Sequence, residues 1–252
     1  MNKAKSIFIA VCVLVVMLSG TQGCKKENLC DCFKGTGDVI TEVRTVDAFT
    51  EIFVEDKINV ILTEDTSLAA EVKIEAGEKL VPLIRTVVEN GVLRIRDDNK
   101  CDFSRNYDVP VNIYIRCGKN ITRITNKGTG NITNTDTCTA PSIDLATFSA
   151  GDITLTMNAG SVYTHQHSVG DVEITGAAHE VIVYNTGNGF TIADQCPAWY
   201  CWVYTKTTGK ITLNPINQLS SEIDGPGNVY YRGQPPYISS LLHSSGQLLP
   251  LQ

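Results

Sequence analysis

Asp152 and Asp171 each follow a glycine at the start of nearly the same phrase, GDITLT and GDVEIT, 19 residues apart. Two carboxylates on neighbouring coils in register would lie about 4.8 Å apart. Polysaccharide lyases and hydrolases use such pairs for acid–base chemistry, the lyases with calcium. Later repeats carry Phe190, Lys210 and Asn228 at the equivalent positions, so this acid ladder has only two rungs. The GGxGxDx calcium repeat is absent, and the two acids read as solvated turn residues. In THQH, His165 and His167 are two apart and face the same side of a strand, as a metal pair requires. Taking Thr186 and Lys206 as the equivalents of His165 one and two repeats on supplies no third ligand. His179 and His243 are isolated. Ser161 and Ser168 lie near the histidines without a GxSxG elbow, and no phosphate loop or dinucleotide signature occurs. The residues thus predict no catalytic site, no metal and no cofactor.

Aromatic residues offer a different chemistry. Tyr163, Tyr184 and Tyr204 are spaced by 21 and 20 residues, each after an aliphatic β-branched residue, with Trp199, Tyr200 and Trp202 close by. If the aliphatic residues face a core, the tyrosines form an outward strip of amphipathic rings on which sugar faces or protein partners dock. If the alternation is displaced by one residue, the same rings fill the core. The sequence leaves both arrangements open.

The elements that must position these residues come from a repeat. Gly130, Gly151, Gly170, Gly189, Gly209 and Gly227 precede apolar strand starts at steps of 21, 19, 19, 20 and 18 residues. Alternation follows each, as in Ile153 and Leu155 against Thr154 and Thr156, the mark of a strand with one wet face. A second strand signal recurs 9 to 12 residues on, at Ile143, Val162, Val181, Trp202 and Ile223. Two short strands in about 20 residues cannot bury their own apolar face, but stacked coils can. The prediction is an all-β, single-domain parallel β-helix. The repeated glycine permits either positive φ at a corner or close packing between coils. Asn131, Asp152, Asp171 and Asn228, which follow it, would stack as short polar side chains. Upstream, EKLVPLIRTVVENG places Leu80, Leu83, Ile84, Val87 and Val88 at helical spacing, which predicts a short amphipathic cap helix ending at Asn90-Gly91.

Targeting precedes the fold. Two lysines and an unbroken apolar run over Ile7–Leu18 have the form of a signal peptide, residues 1–23, too short to span a bilayer comfortably. SGTQGC resembles a bacterial lipobox, with Thr21 departing from the usual leucine, and predicts lipidation of Cys24 followed by a tether over 24–43. Removing the signal leaves 19 basic against 27 acidic residues and a net charge of −8, which argues against nucleic-acid binding. In an oxidising envelope the seven remaining cysteines are candidate disulfide partners, with at least one left free or paired between chains; Cys117 with Cys138 and Cys196 with Cys201 are plausible pairs, and the connectivity stays open. Paired C-x-x-C zinc knuckles are absent.

VDAFTEIFVEDKINVILTED, VVENGVLRIR, GTGNI and the closing GPGNVYYRG, in that order, resemble the auto-transporter adhesin, head GIN domain, family, a domain of unknown function common in Bacteroidota envelope proteins. The resemblance runs over about Arg44–Gly233 and implies a β-helical fold exposed at the envelope. It carries no active site. CPAWYCW departs from the pattern. The resulting organisation is a β-helix over 44–233 and a C-terminal tail over 234–252. The expected protein is a non-enzymatic outer-membrane lipoprotein, surface-exposed and held to the membrane by its lipid. Its β-helix would bind or display, with a glycan or a surface protein as partner. The alternatives are a structural envelope component paired with a membrane partner, and a polysaccharide-active β-helix enzyme.

Overall fold

A computed structural model of the chain describes residues 35–64, 71–99, 108–117 and 120–251. The signal segment, Cys24, most of the tether, Cys101 and the side chain of Cys117 lie outside them. Among the described residues no helix is long and apolar enough to cross a membrane.

The first strands are β1 (Val39–Thr45), β2 (Glu51–Val54), β3 (Ile58–Glu64) and β4 (Glu71–Gly77), followed by β5 (Ile84–Glu89), β6 (Val92–Asp97) and β7 (Val111–Cys117). Regular coils begin with β8 (Arg123–Asn126), β9 (Ile132–Asn134) and β10 (Cys138–Thr147). They continue through the long bent strands β11 (Ile153–Gln166), β12 (Val172–Asn185), β13 (Thr191–Thr205) and β14 (Ile211–Ile223). The last are β15 (Val229–Tyr231), β16 (Tyr237–Leu242) and β17 (Leu248–Pro250). Together they wind a β-solenoid of about 7 turns with coils of about 19 residues.

Two parallel ladders carry the stack. In one, β6, β2, β8, β10, the C-terminal halves of β11–β14 and then β16 lie side by side. In the other, β7, β3, β9, the N-terminal halves of β11–β14, β15 and β17 do so. Antiparallel strands close the start: β5 pairs with β6, and β4 with both β7 and β1. Each apolar residue stacks on its equivalent one coil away, for instance Ile143, Val162, Val181, Cys201 and Leu219, all buried. Such columns stabilise the fold by about 0.8 kcal/mol per buried methylene.

The corner glycines answer to close packing. Gly151 and Gly170 have no positive φ, but a Cβ on Gly151 would sit 2.1 Å from the Gly130 carbonyl oxygen, and one on Gly170 2.4 Å from that of Gly151. Buried amides brace the same corner from inside. Asn126 donates to the Gly130 carbonyl at 2.9 Å and accepts from the Gly128 N–H at 3.0 Å, and Asn185 donates to the Gly189 carbonyl at 2.9 Å.

Four expectations change. Leu80–Gly91 is not a helix: a 3-10 turn at Val81–Leu83 leads into β5. Asn90-Gly91, with φ of 52° and 78°, is the tight turn of the β5–β6 hairpin. The β-branched Ile84, Thr86, Val87 and Val88 favour the strand, and the Asn-Gly pair read as a helix end is equally the signature of this turn. The stack also continues past Gly233, because β16 and β17 form a further coil on β14 and β15. Its signal was Gly246, 19 residues after Gly227 and packed on the Gly227 carbonyl. The end of the tether, from Val39, is β1. Finally, Cys196 and Cys201 are separate buried thiols with no disulfide between them. Cys201 points into the core column between Val181 and Leu219, and Cys196 into the core at a bulge. The extra residue of that bulge accounts for the longer step from Gly189 to Gly209.

Candidate functional site: an outward aromatic face

In the C-terminal halves of β11–β14, residues alternate between core and surface. Val162, Val183 and Val203 are fully buried, so the tyrosines face outward, each half-buried by its neighbours. Register decides which rings meet. Tyr184 pairs with His165 on one side and Tyr204 on the other, whereas Tyr163 pairs with Asp144 and Ile182. The three tyrosines are therefore not one column: a 21-residue spacing overshoots a 19-residue coil by two positions, one step along the same face. Thr186 and Lys206 follow His167, and the equivalents of His165 are Tyr184 and Tyr204.

Tyr184 and Tyr204 stack at 5.0 Å between ring centroids with planes 15° apart. His165 tilts against Tyr184 at 5.9 Å and lies 6.5 Å from His167, which stacks on Phe148 at 4.6 Å. The Lys127 ammonium bridges Phe148 and Phe53, at 5.3 and 5.2 Å from their centroids, and the Arg94 guanidinium covers the far side of Phe53 at 4.8 Å. Rings and cations thus run along the solenoid axis from Arg94 to Tyr204. Trp202, 40% exposed, stands beside this column in the row of Tyr163 and Ile182. Trp199, 44% exposed, is displaced toward the corner, where Tyr200 meets His179 edge-on at 5.5 Å.

Burial, then the charge of His165, holds His167 below the usual histidine range. At the other end of the column the Tyr204 hydroxyl donates to Asp224 Oδ2 at 3.1 Å, which pushes the phenol up. Asp224 Oδ1 meets His243 Nδ1 at 2.6 Å, and Glu222 Oε1 lies 4.0 Å from the same nitrogen. The hydrogen bond from His243 leads those that hold the Asp224 carboxyl below its usual range, against a smaller opposing effect of burial. The column thus ends in Arg94 and Lys127 on one side and in Glu222 and Asp224, with Lys206 and His243 beside them, on the other.

Asp152 and Asp171 have a backbone role. Asp152 accepts the Asp171 N–H at 2.9 Å, and Asp171 accepts the Phe190 N–H at 2.7 Å. Asn131 does the same for Asp152 at 3.2 Å, so the short polar residues after the corner glycines stack and tie successive coils together. Sequence reasoning missed Phe53, Lys127 and Phe148 and the grouping of Glu222, Asp224 and His243. The signal was the coil length: Phe148 to His167, His165 to Tyr184 and Asp224 to His243 are all 19 residues.

A family model described as "Putative auto-transporter adhesin, head GIN domain" matches residues 48–235. Among solved structures, a "putative adhesin" from Bacteroides fragilis superposes with a TM-score of 0.79 at 21% identity, covering 86% of this chain and 99% of that one. A "putative lipid binding protein" from Parabacteroides distasonis gives 0.66 at 18% identity, covering 86% and 98%. A "putative adhesin" from Parabacteroides merdae gives 0.59 at 16%, with the same coverage. No curated protein matches the chain.

Proposed function

Since the chain belongs to the putative auto-transporter adhesin, head GIN domain, family, we propose that it is a lipid-anchored protein of the cell surface that binds a partner through its outward aromatic face and catalyses nothing. The observation that carries this reading is the Tyr184–Tyr204 stack, continued by His165 and flanked by Trp202 on a parallel sheet. Stacked on one another, the tyrosines turn ring edges and hydroxyls outward, the exposed Trp202 beside them adds apolar area for the C–H surface of a sugar, and the hydroxyls, imidazoles and flanking charges offer hydrogen bonds around it. The family and its adhesin-like members support the surface setting, and the acids that would serve an enzyme are occupied with backbone N–H groups.

The test is binding of the purified protein to a broad glycan and host-matrix array beside Tyr184→Ala and Trp202→Ala. Specific binding that falls tenfold or more in either variant supports the reading and locates the face. Silence across the array in the native protein would overturn it and leave a structural envelope component, identified by co-purification of a stoichiometric membrane partner.

A further inference from the structure

Glu222, Asp224 and His243 each offer one ligand atom, and the three atoms lie within 4.8 Å of one another. The coil geometry makes this arrangement. Glu222 is in β14 and Asp224 follows it, two residues apart and so directed to the same side. His243 follows β16, one 19-residue coil beyond Asp224, and its N–H bonds the Ile223 carbonyl at 2.9 Å, which seats its ring beside both carboxylates. His243 Nδ1 is 2.6 Å from Asp224 Oδ1 and 4.0 Å from Glu222 Oε1. One imidazole needs one carboxylate for an ion pair. The second carboxylate faces the same nitrogen against the repulsion of the first, which the nearby Lys206 charge offsets in part and a cation of charge above one held between them would relieve further.

From this convergence we propose that Glu222, Asp224 and His243 form a binding site for a first-row divalent transition-metal ion of the zinc type. The donor set decides the class. An imidazole nitrogen with two carboxylate oxygens suits zinc and its neighbours, whereas calcium and magnesium take oxygen alone. Three protein ligands leave coordination positions to water or to a ligand oxygen, and the site is open to solvent, with the His243 side chain 55% exposed. Tyr204 supplies the outer support that such sites use, since its hydroxyl occupies Asp224 Oδ2 and leaves Oδ1 aimed at the imidazole. The metal exchanges for the proton shared between His243 and Asp224 and joins the last coil to β14. The site stands whether or not the aromatic face binds a sugar.

Cobalt(II) and zinc titrations of the purified protein test it, by absorption and by calorimetry. Saturable binding of one ion is expected, with visible bands of nitrogen and oxygen ligation and no sulfur charge-transfer band. His243→Ala abolishes that binding, Tyr204→Phe weakens it about tenfold, and a His165→Ala/His167→Ala double variant leaves it unchanged. Zinc also raises the melting temperature of the native protein relative to that of His243→Ala, because only the folded chain assembles the three ligands, while zinc binding to thiols exposed on unfolding affects both proteins alike. Folding of each variant is checked by circular dichroism. The proposal is overturned by absence of saturable binding, by a thiolate charge-transfer band, or by binding that survives His243→Ala or disappears in the double histidine variant.

Discussion

At the scale of single residues, alternation sets the chemistry each side chain can reach. His167 lies outside on a half-covered face, where its ring rests on Phe148 beside His165. Its folded pKa is lowered from 6.5, so the fold favours the neutral ring. The contribution of this group to stability is therefore whole above pH 6.5 and is lost as pH falls from there through the folded pKa. A proton NMR titration should place His167 below 6.5, and His165→Ala should move it part of the way back, since burial, the larger cause, remains. The opposite face of the strands holds Cys196 and Cys201, whose thiols burial pushes up to about 11 and about 12, the latter helped by Cys196. At pH 8 the Cys196 thiolate is then roughly a thousandth of the population, and the Cys201 thiolate less. Alkylation mapped by mass spectrometry should leave both unmodified in the native protein and label both after denaturation. Native labelling at a surface-thiol rate would contradict the core placement.

Elements show how one local feature can serve two purposes. Gly151 and Gly91 both lie at turns, but for different reasons. Gly151 has no room for a side chain against Gly130, whereas Gly91, at φ 78°, has only Thr50 Oγ1 at 3.8 Å and needs its left-handed backbone. Gly91→Ala should cost roughly 1–2 kcal/mol. Gly151→Ala should cost about 1–3 kcal/mol, because the whole coil must move away from its neighbour. Urea denaturation of both separates the effects: adding Gly130→Ala at the equivalent corner one coil earlier should worsen Gly151→Ala non-additively and leave the cost of Gly91→Ala unchanged.

For the molecule as a whole, repetition makes stability a sum over neighbouring coils, with the ends as the weak points. The start is closed by antiparallel strands, whereas among the described residues β16 pairs only with β14 and β17 only with β15. Truncation after Gly233 would uncover Leu219, Ile223 and Val229, which those strands cover. The truncated protein should melt below the full chain and bind an apolar dye, and an unchanged melting temperature would show that the last coil adds nothing. The lipid-anchor expectation has its own check: Cys24→Ser should abolish metabolic incorporation of a labelled fatty acid and release the protein from the membrane fraction.

The order of recurring glycines, the alternation after them and the near-constant spacing determined the solenoid from sequence alone, because stacking is a nearest-neighbour rule written in every coil. The polar column after the corner glycines was legible for the same reason. Sequence could not decide the exact register, since steps of 18 to 21 residues leave a two-residue uncertainty, and two residues along a strand is one full step on the same face. That step separates Tyr163 from Tyr184 and joins His165 to it. Sequence also left Leu80–Gly91 ambiguous, because three of the five apolar residues at helical spacing, Ile84, Val87 and Val88, are β-branched, and the segment ends in a pair that serves either a helix end or a hairpin. Only the tertiary structure resolved these, through backbone pairing that fixes register and through the burial that one strand face gains when the next coil covers it.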